Sequence, residues 1–381
     1  MQPTQDKDFT RVAEGLAVSL ELSRRSWKMA LQDGKRLRPA LYTVDAAVAS
    51  QRLAQVIAVI AEVKRKWELC ASAPVTVLYE AGRDGFWISR ALSALGVAVL
   101  VIDPASVPVE RHARRAKTDR LDALRLLTCL QRWLRGERDG MRIVHEPTES
   151  AEAQRQLARE RGQLQKEIGQ HRERMRALLA TVGCWDSLHD DFAQRLAQGM
   201  VTAHDGRALA PELRARLARE CERLASAQKQ LQELDASLVA HLPAPVQERI
   251  GQLMQLRAIG EVGAMRLVLE LYWRDFANRR QVGACVGLVP QPYDSGDSRV
   301  DQGISKQGNR RVRSLLIELA WLWLRYQPDS ALSRWFAARC GGAGKRHRRV
   351  AIVAVARRLS IALWRYLKEG EIPSGAVMKA A

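Results

Sequence analysis

Asp119 and Asp122 stand three residues apart in Lys117-Thr118-Asp119-Arg120-Leu121-Asp122-Ala123, at the head of the apolar-periodic run LRLLTCLQRWL. The spacing predicts a helix starting here with both carboxylates on one face. Oxygen ligands so placed can hold a hard divalent cation such as magnesium. The same two acids would also suit an ordinary first turn, because negative charge is favoured at the positive end of the helix dipole. The spacing alone is compatible with both roles.

The composition of the chain narrows the choice of partner. Its 381 residues suffice for two or three domains, and 47% hydrophobic residues make it globular rather than disordered. A formal net charge of +19 and a pI of about 10.2 call for a polyanion, most simply nucleic acid. A basic membrane-surface protein would need a strongly amphipathic Trp/Lys helix or a lipidation signal, and neither is visible. The cysteines, Cys70, Cys129, Cys184, Cys221, Cys285 and Cys340, form no CxxC pair. They read as scattered reduced thiols of a cytoplasmic, nucleoid-associated protein. The opening MQPTQDKDFTRVAEG does not read as a signal peptide, and no apolar run is long enough to span a membrane.

The elements that must position the acids begin at Gly15. Three short runs, Leu16–Leu22, Ser26–Leu31 and Pro39–Ala46, read as a meander with Asp33-Gly34 as a hairpin turn. Val48–Trp67 has helical spacing, Val75–Tyr79 is a strand ending at Glu80, and a helix over 85–95 leads to a strand over 97–102. The helix carrying Asp119 and Asp122 closes this first domain, residues 1–145. The order β-β-β-α-β-α-β-α resembles the RNase H/RuvC-like nuclease fold. That resemblance implies carboxylates converging from the first strand, the fourth strand and the last helix. Here those positions are Glu21, Glu80, Asp119 and Asp122, with Asp45, at the end of the third strand, a weaker alternative. Two cations roughly 3.5–4 Å apart can clamp the attacking and leaving oxygens of a phosphodiester.

Residues 146–248 turn rich in Ala, Arg, Glu, Gln and Leu. Leu157, Leu164, Ile168, Met175 and Leu178 mark one long helix. Leu217, Leu224, Leu231 and Leu238 recur every seven residues on a second. They predict a coiled-coil hairpin or a dimerising coiled coil. Arg155, Arg159, Arg161, Lys166, Arg172, Arg174 and Arg176 make the first helix basic, as a solvated face or a track for nucleic-acid backbone. The last domain, 249–381, is mainly helical. Ile259-Gly260-Glu261-Val262-Gly263 resembles a helix-hairpin-helix, whose glycine amides approach phosphate. The same stretch reads equally as an ordinary turn between helices. The cluster Lys345–Arg349 opens an apolar helix and is either a phosphate contact or a solvated loop.

The segments LELSRRSW, VLYEAGRDGFWISRALSALGVAVLVIDP and KTDRLDA resemble the insertion-sequence transposases of the DEDD type. So do the GLVP turn, YDSGDSR and ISKQGNRRVRSLL in the last domain. That family, related to pilin-gene invertases, is described as bridge-RNA-guided serine recombinases. The resemblance implies a DNA transposase in which Ser295 is the nucleophile, with Ser298 and Ser305 weaker candidates. It also implies magnesium as cofactor, double-stranded DNA (element ends and target) and a noncoding guide RNA as partners, and a homo-oligomer from dimer to tetramer. Arg299, Lys306, Arg310, Arg311 and Arg313 can hold the DNA backbone and stabilise phosphate charge. In this chain Glu21, within LELSR, replaces the family's usual first-strand Asp. Glutamate is one methylene longer and still reaches a metal. Two other readings stay open: a metal-dependent junction nuclease without a covalent intermediate, and an inactive nucleic-acid-binding protein.

Overall fold

The computed structural model describes residues 15–107, 118–138, 141–238, 241–295, 298–342 and 344–379, the side chains of 294–301 excepted. Lys117 of the acidic run falls outside them. The chain divides into two compact units, Met1–Pro147 and Thr148–Ala381.

The first unit is mixed α/β. Its elements are β1 (Leu16–Leu22), β2 (Trp27–Gln32), β3 (Ala40–Val44), α1 (Ala49–Lys66), β4 (Val75–Glu80), α2 (Trp87–Ala94), β5 (Ala98–Ile102) and α3 (Asp119–Leu134). The sheet order is β3-β2-β1-β4-β5. β1 pairs antiparallel with β2 and parallel with β4, and β4 pairs parallel with β5. Strand side chains alternate between faces, and the core follows that period. Leu16, Val18 and Leu20 pack with Val56, Ile60 and Val63 of α1 and Ile88 and Leu92 of α2. Ala17, Leu78 and Leu100 pack on the other face with Ala123, Leu126, Leu127 and Leu130 of α3.

The second unit holds α4 (Glu149–Ala180), α5 (Phe192–Ala197), α6 (Pro211–Leu238), α7 (Ala244–Met254), α8 (Glu261–Glu270) and α9 (Arg279–Cys285). It continues with β6 (Pro290–Ser295), β7 (Ser298–Ile304), α10 (Arg310–Tyr326), α11 (Ala331–Cys340) and α12 (Lys345–Glu369). α4 and α6 lie against each other within the chain. Arg161 forks onto Asp235 at 2.7 and 3.0 Å, whereas His171 and Arg174 reach Glu220 at 2.6 and 3.2 Å. Partner numbers fall as α4 ascends, so the pair is antiparallel. At one end Met175, Leu179 and Leu217 pack with Phe192 and Leu196 of α5. At the other, Ala158 and Leu238 enter the same core as Leu253 of α7, Leu267 of α8 and Leu316 of α10. The boundary expected near 248 therefore falls inside one unit. The described cysteines are free, and no described helix is long and apolar enough to cross a membrane.

Glu220 is the buried acid of the helical pair, and Arg223 also donates to it at 2.9 Å. Burial pushes its pKa up. The hydrogen bonds and charges of His171 and Arg174 outweigh that and hold the carboxyl below the usual carboxylate range. Its stabilisation is complete above the unfolded-state pKa of about 4.3 and is lost as pH falls through the lower folded-state value. Glu220→Gln is expected to cost about 1.5–3 kcal/mol at neutral pH. Urea midpoints recorded down to acid pH should show the gap to the parent protein closing.

Candidate active site

The last paired residues of β1 and β4 are Leu20 and Tyr79. Glu21 and Glu80 come next, at adjacent carboxyl ends of parallel strands about 4.8 Å apart. That edge is where open α/β sheets place their ligands. Strand alternation puts Glu21 on the face of Ala17 and Ser19, and Glu80 on the face of Leu78, which is the α3 face. The charge of Glu80 is felt on that face. Burial chiefly raises the pKa of the Cys129 thiol on α3, Arg132 and Arg125 lower it, and Glu80 adds to the rise.

The start of α3 is held over this edge. The Thr118 hydroxyl caps it by accepting from the Leu121 N–H at 3.3 Å. Ser19, wholly buried in β1, donates from Oγ to the Ala123 carbonyl at 2.7 Å. Asp119 and Asp122 thus extend the sheet-facing stripe of α3 (Ala123, Leu126, Leu130) toward the strand ends. Asp119 is exposed. Asp122 is largely covered, and its Oδ1 accepts from Arg125 at 3.3 Å. Asp45 is exposed beyond β3, the far edge strand, away from this group. The donors are all hard oxygens, a set suited to a divalent cation. Among the described residues no three His, Cys, Asp or Glu side chains are already gathered closely enough to hold one.

In the second unit the GLVP turn and the SKQGN segment lock together through backbone. Ser305 N–H donates to Val289 O at 2.9 Å, Lys306 N–H to Gly287 O at 3.2 Å and Asn309 N–H to Cys285 O at 2.9 Å. Gly287 and Gly308 have φ of 66° and 90°, and a methyl at either would overlap a carbonyl, of Gln307 or Cys285. The β6–β7 hairpin springs from this lock. Ser295 ends β6, paired in register with Ser298. The side chains of Ser295, Ser298 and Arg299 lie outside the described residues.

The basic residues around the lock divide. Lys306, Arg310 and Arg311 are exposed. Arg313 instead donates from Nη1 to Val286 O at 3.0 Å, and burial, with Arg310 nearby, lowers its pKa. It therefore helps to hold the turn. Gly260 caps α8 with open space around it. Gly263 faces Leu319 of α10, where a methyl would stand 3.3 Å from Leu319 Cδ2.

Two positioning groups escaped the sequence reading. Asn309 caps α10, accepting from the Arg311 and Val312 N–H groups. It also donates to the buried Glu270 carboxylate at 3.0 Å. Its place just before a helical pattern is an N-cap signal. Ser19 is a polar residue inside an apolar strand, which signals a buried hydrogen bond.

A chain that carries a mixed α/β unit with carboxylates at its strand ends and a basic helical unit points to a class of DNA-processing enzymes, and the comparisons name it. A DEDD-type transposase model matches residues 45–183, and a model described as transposase of the IS116/IS110/IS902 family matches residues 251–335. A Sinorhizobium fredii protein assigned as a transposase, y4rJ, is 40% identical over 95% of this chain and 94% of its own length. The transposase for insertion sequence element IS1328 of Yersinia enterocolitica is 27% identical over 80% of this chain and 87% of its own. The chain belongs to the IS110/IS116 family of DEDD transposases, enzymes that cut and rejoin DNA. Such transposases generally use a divalent metal. The DEDD model spans Glu80, Asp119 and Asp122 and begins after Glu21.

Gly308→Ala is expected to cost at least about 1–3 kcal/mol through the forced φ and the carbonyl overlap. Limited proteolysis should then cut within 290–304 while the first unit stays resistant. Ser19→Ala should cost about 1 kcal/mol and weaken DNA cleavage more than DNA binding, since it frees the first turn of α3.

Proposed function

We propose that the chain is an RNase H/RuvC-like transposase that exchanges DNA strands through a covalent phosphoserine at Ser295. Glu21, Glu80, Asp119 and Asp122 would hold magnesium. The observation that carries this reading is the convergence of β1, β4 and the capped start of α3 on one sheet edge. The sheet order β3-β2-β1-β4-β5, crossed by α3, supports the fold part of the reading.

The chemistry balances without ATP. The Ser295 hydroxyl attacks phosphorus, loses its proton and displaces the 3′-oxygen, which leaves as a hydroxyl. The 3′-hydroxyl of another strand then attacks the phosphoserine, rebuilds a phosphodiester and returns the serine. When bound, the metal would lower the charge on the phosphate oxygens and help the attacking and leaving oxygens. Lys306, Arg310 and Arg311 would hold the DNA backbone, together with Arg299. Gly260 would offer its open helix end to phosphate in the manner of a helix-hairpin-helix. Gly263 and Arg313 would act by keeping these groups in place. Exchange between two duplexes involves several cleaved strands, so one serine per chain calls for an oligomer, dimer to tetramer. The pairing of target with element ends would come from a noncoding guide RNA, which the +19 charge can accommodate. The coiled-coil character of α4 and α6 belongs to this reading too.

The test is a denaturing gel of end-labelled element DNA incubated with protein, magnesium and the flanking transcript. A protein–DNA adduct is expected, absent in Ser295→Ala. Asp119→Asn or Glu80→Gln should lower cleavage about 100-fold or more, and Glu21→Asp should retain it. Cleavage that survives Ser295→Ala without adduct would make the chain a junction nuclease. No cleavage under any of these conditions would make it a binding protein.

A further inference from the structure

A cleft of about 570 Å³ opens within the second unit, between the middle of α4, α8 and the start of α10. Four cations line it: Arg159, Lys166, Arg266 and Arg311. Its two acids are already engaged. Glu270, buried, takes Arg159 at 3.2 Å, Arg155 at 3.8 Å and the Asn309 amide, and Glu167 accepts from Gln163 at 3.0 Å. Among the described residues Lys166, Arg266 and Arg311 have no hydrogen-bonded or ion-paired side-chain partner. Burial chiefly lowers the pKa of Arg266; the charges of Glu318 and Glu270 oppose that, and those of Arg161 and Arg311 add to it more weakly. Arg310, Arg311 and Arg313 crowd the first turn of α10 with no acid among them, against its dipole. Such an arrangement costs folding energy that an incoming anion would return.

The rest of the lining describes the anion. Ala158, Gly162, Val312 and Leu315 give an apolar wall, and Gln163 and Gln170 add neutral hydrogen-bonding groups. A bare phosphate would leave most of this space unused. A phosphate with its sugar attached would set charge on Lys166, Arg266 and Arg311 and its carbon skeleton on the wall. We infer that this cleft seats a backbone phosphodiester of a bound nucleic-acid strand, anchoring the α4–α6 pair to it. The inference rests on the DNA-handling role of the family and assigns part of it to a cleft built from α4, α8 and the start of α10.

The full-length protein is titrated with a labelled DNA duplex and with a labelled single-stranded RNA over a range of salt concentrations, by fluorescence anisotropy. Arg266→Gln and Lys166→Gln are each expected to weaken binding severalfold. Each should reduce the log–log salt slope by about 0.9 for duplex DNA or about 0.7 for a single strand. A loss confined to one nucleic acid identifies the strand that occupies the cleft. Lys229→Gln, on the exposed side of α6, removes one charge elsewhere and should leave the slope unchanged. Thermal melting checks that the variants remain folded. Slopes unchanged for both nucleic acids, or equally reduced by Lys229→Gln, would overturn the inference. So would inorganic phosphate raising the melting midpoint of the parent but not of Arg266→Gln while nucleic-acid slopes stay fixed.

Discussion

The parallel pairing of β1 with β4 is the constraint on which the carboxylate edge depends. Two antiparallel strands would end at opposite edges and separate Glu21 from Glu80. Parallel strands end together, and here they do so in register. The intervening β2, β3 and α1 supply the long return that a parallel pair requires. The Ser19–Ala123 hydrogen bond then fixes a third element over the same edge. It joins a side chain two residues before Glu21 to the carbonyl immediately after Asp122. A buried hydroxyl in mid-strand has to find an acceptor, and this one finds it at the spot where α3 needs anchoring.

The second unit has a comparable anchor in Glu270. Its carboxylate, 5% exposed, joins Arg155 and Arg159 of α4 to the Asn309 amide at the start of α10. Asn309 in turn caps the helix that carries Arg310 and Arg311, and its N–H closes the lock on the GLVP turn. A single buried acid thus connects the helical pair, the basic helix start and the root of the Ser295 hairpin. An isolated buried carboxylate would be costly, and its engagement by these three partners is what makes it tolerable.

Charge is placed against stability at two helix starts. α10 and α12 both open on arginines and lysines, where the dipole disfavours positive charge. Lys345–Arg349 are all exposed, and Gly344 offers no capping side chain. Helix stability does not account for this arrangement, whereas attraction to a polyanion does. The net charge of +19 is thus partly concentrated at helix ends, where backbone N–H groups add to the field.

Much of the first unit was legible in the residue pattern, because strand alternation and helical spacing are local properties. The three meander strands, the β4 run ending at Glu80 and the capped start at Thr118-Asp119 lie within a residue or two of expectation. In the second unit, heptad spacing of Leu217 to Leu238 determined that α6 would pair with a helix, but not with which one. Only tertiary packing selected α4 of the same chain, through Arg161–Asp235 and the Glu220 cluster. Tertiary structure also divided the arginines. Arg155 and Arg159 serve the buried Glu270, Arg161 is itself buried against Asp235 and Arg313 holds a carbonyl, whereas Arg266 and Arg311 converge on a cleft. A sequence shows how many charges a chain carries and on which helical face they fall. Which of them are neutralised depends on distances between residues far apart in the chain, and those exist only once the helices pack.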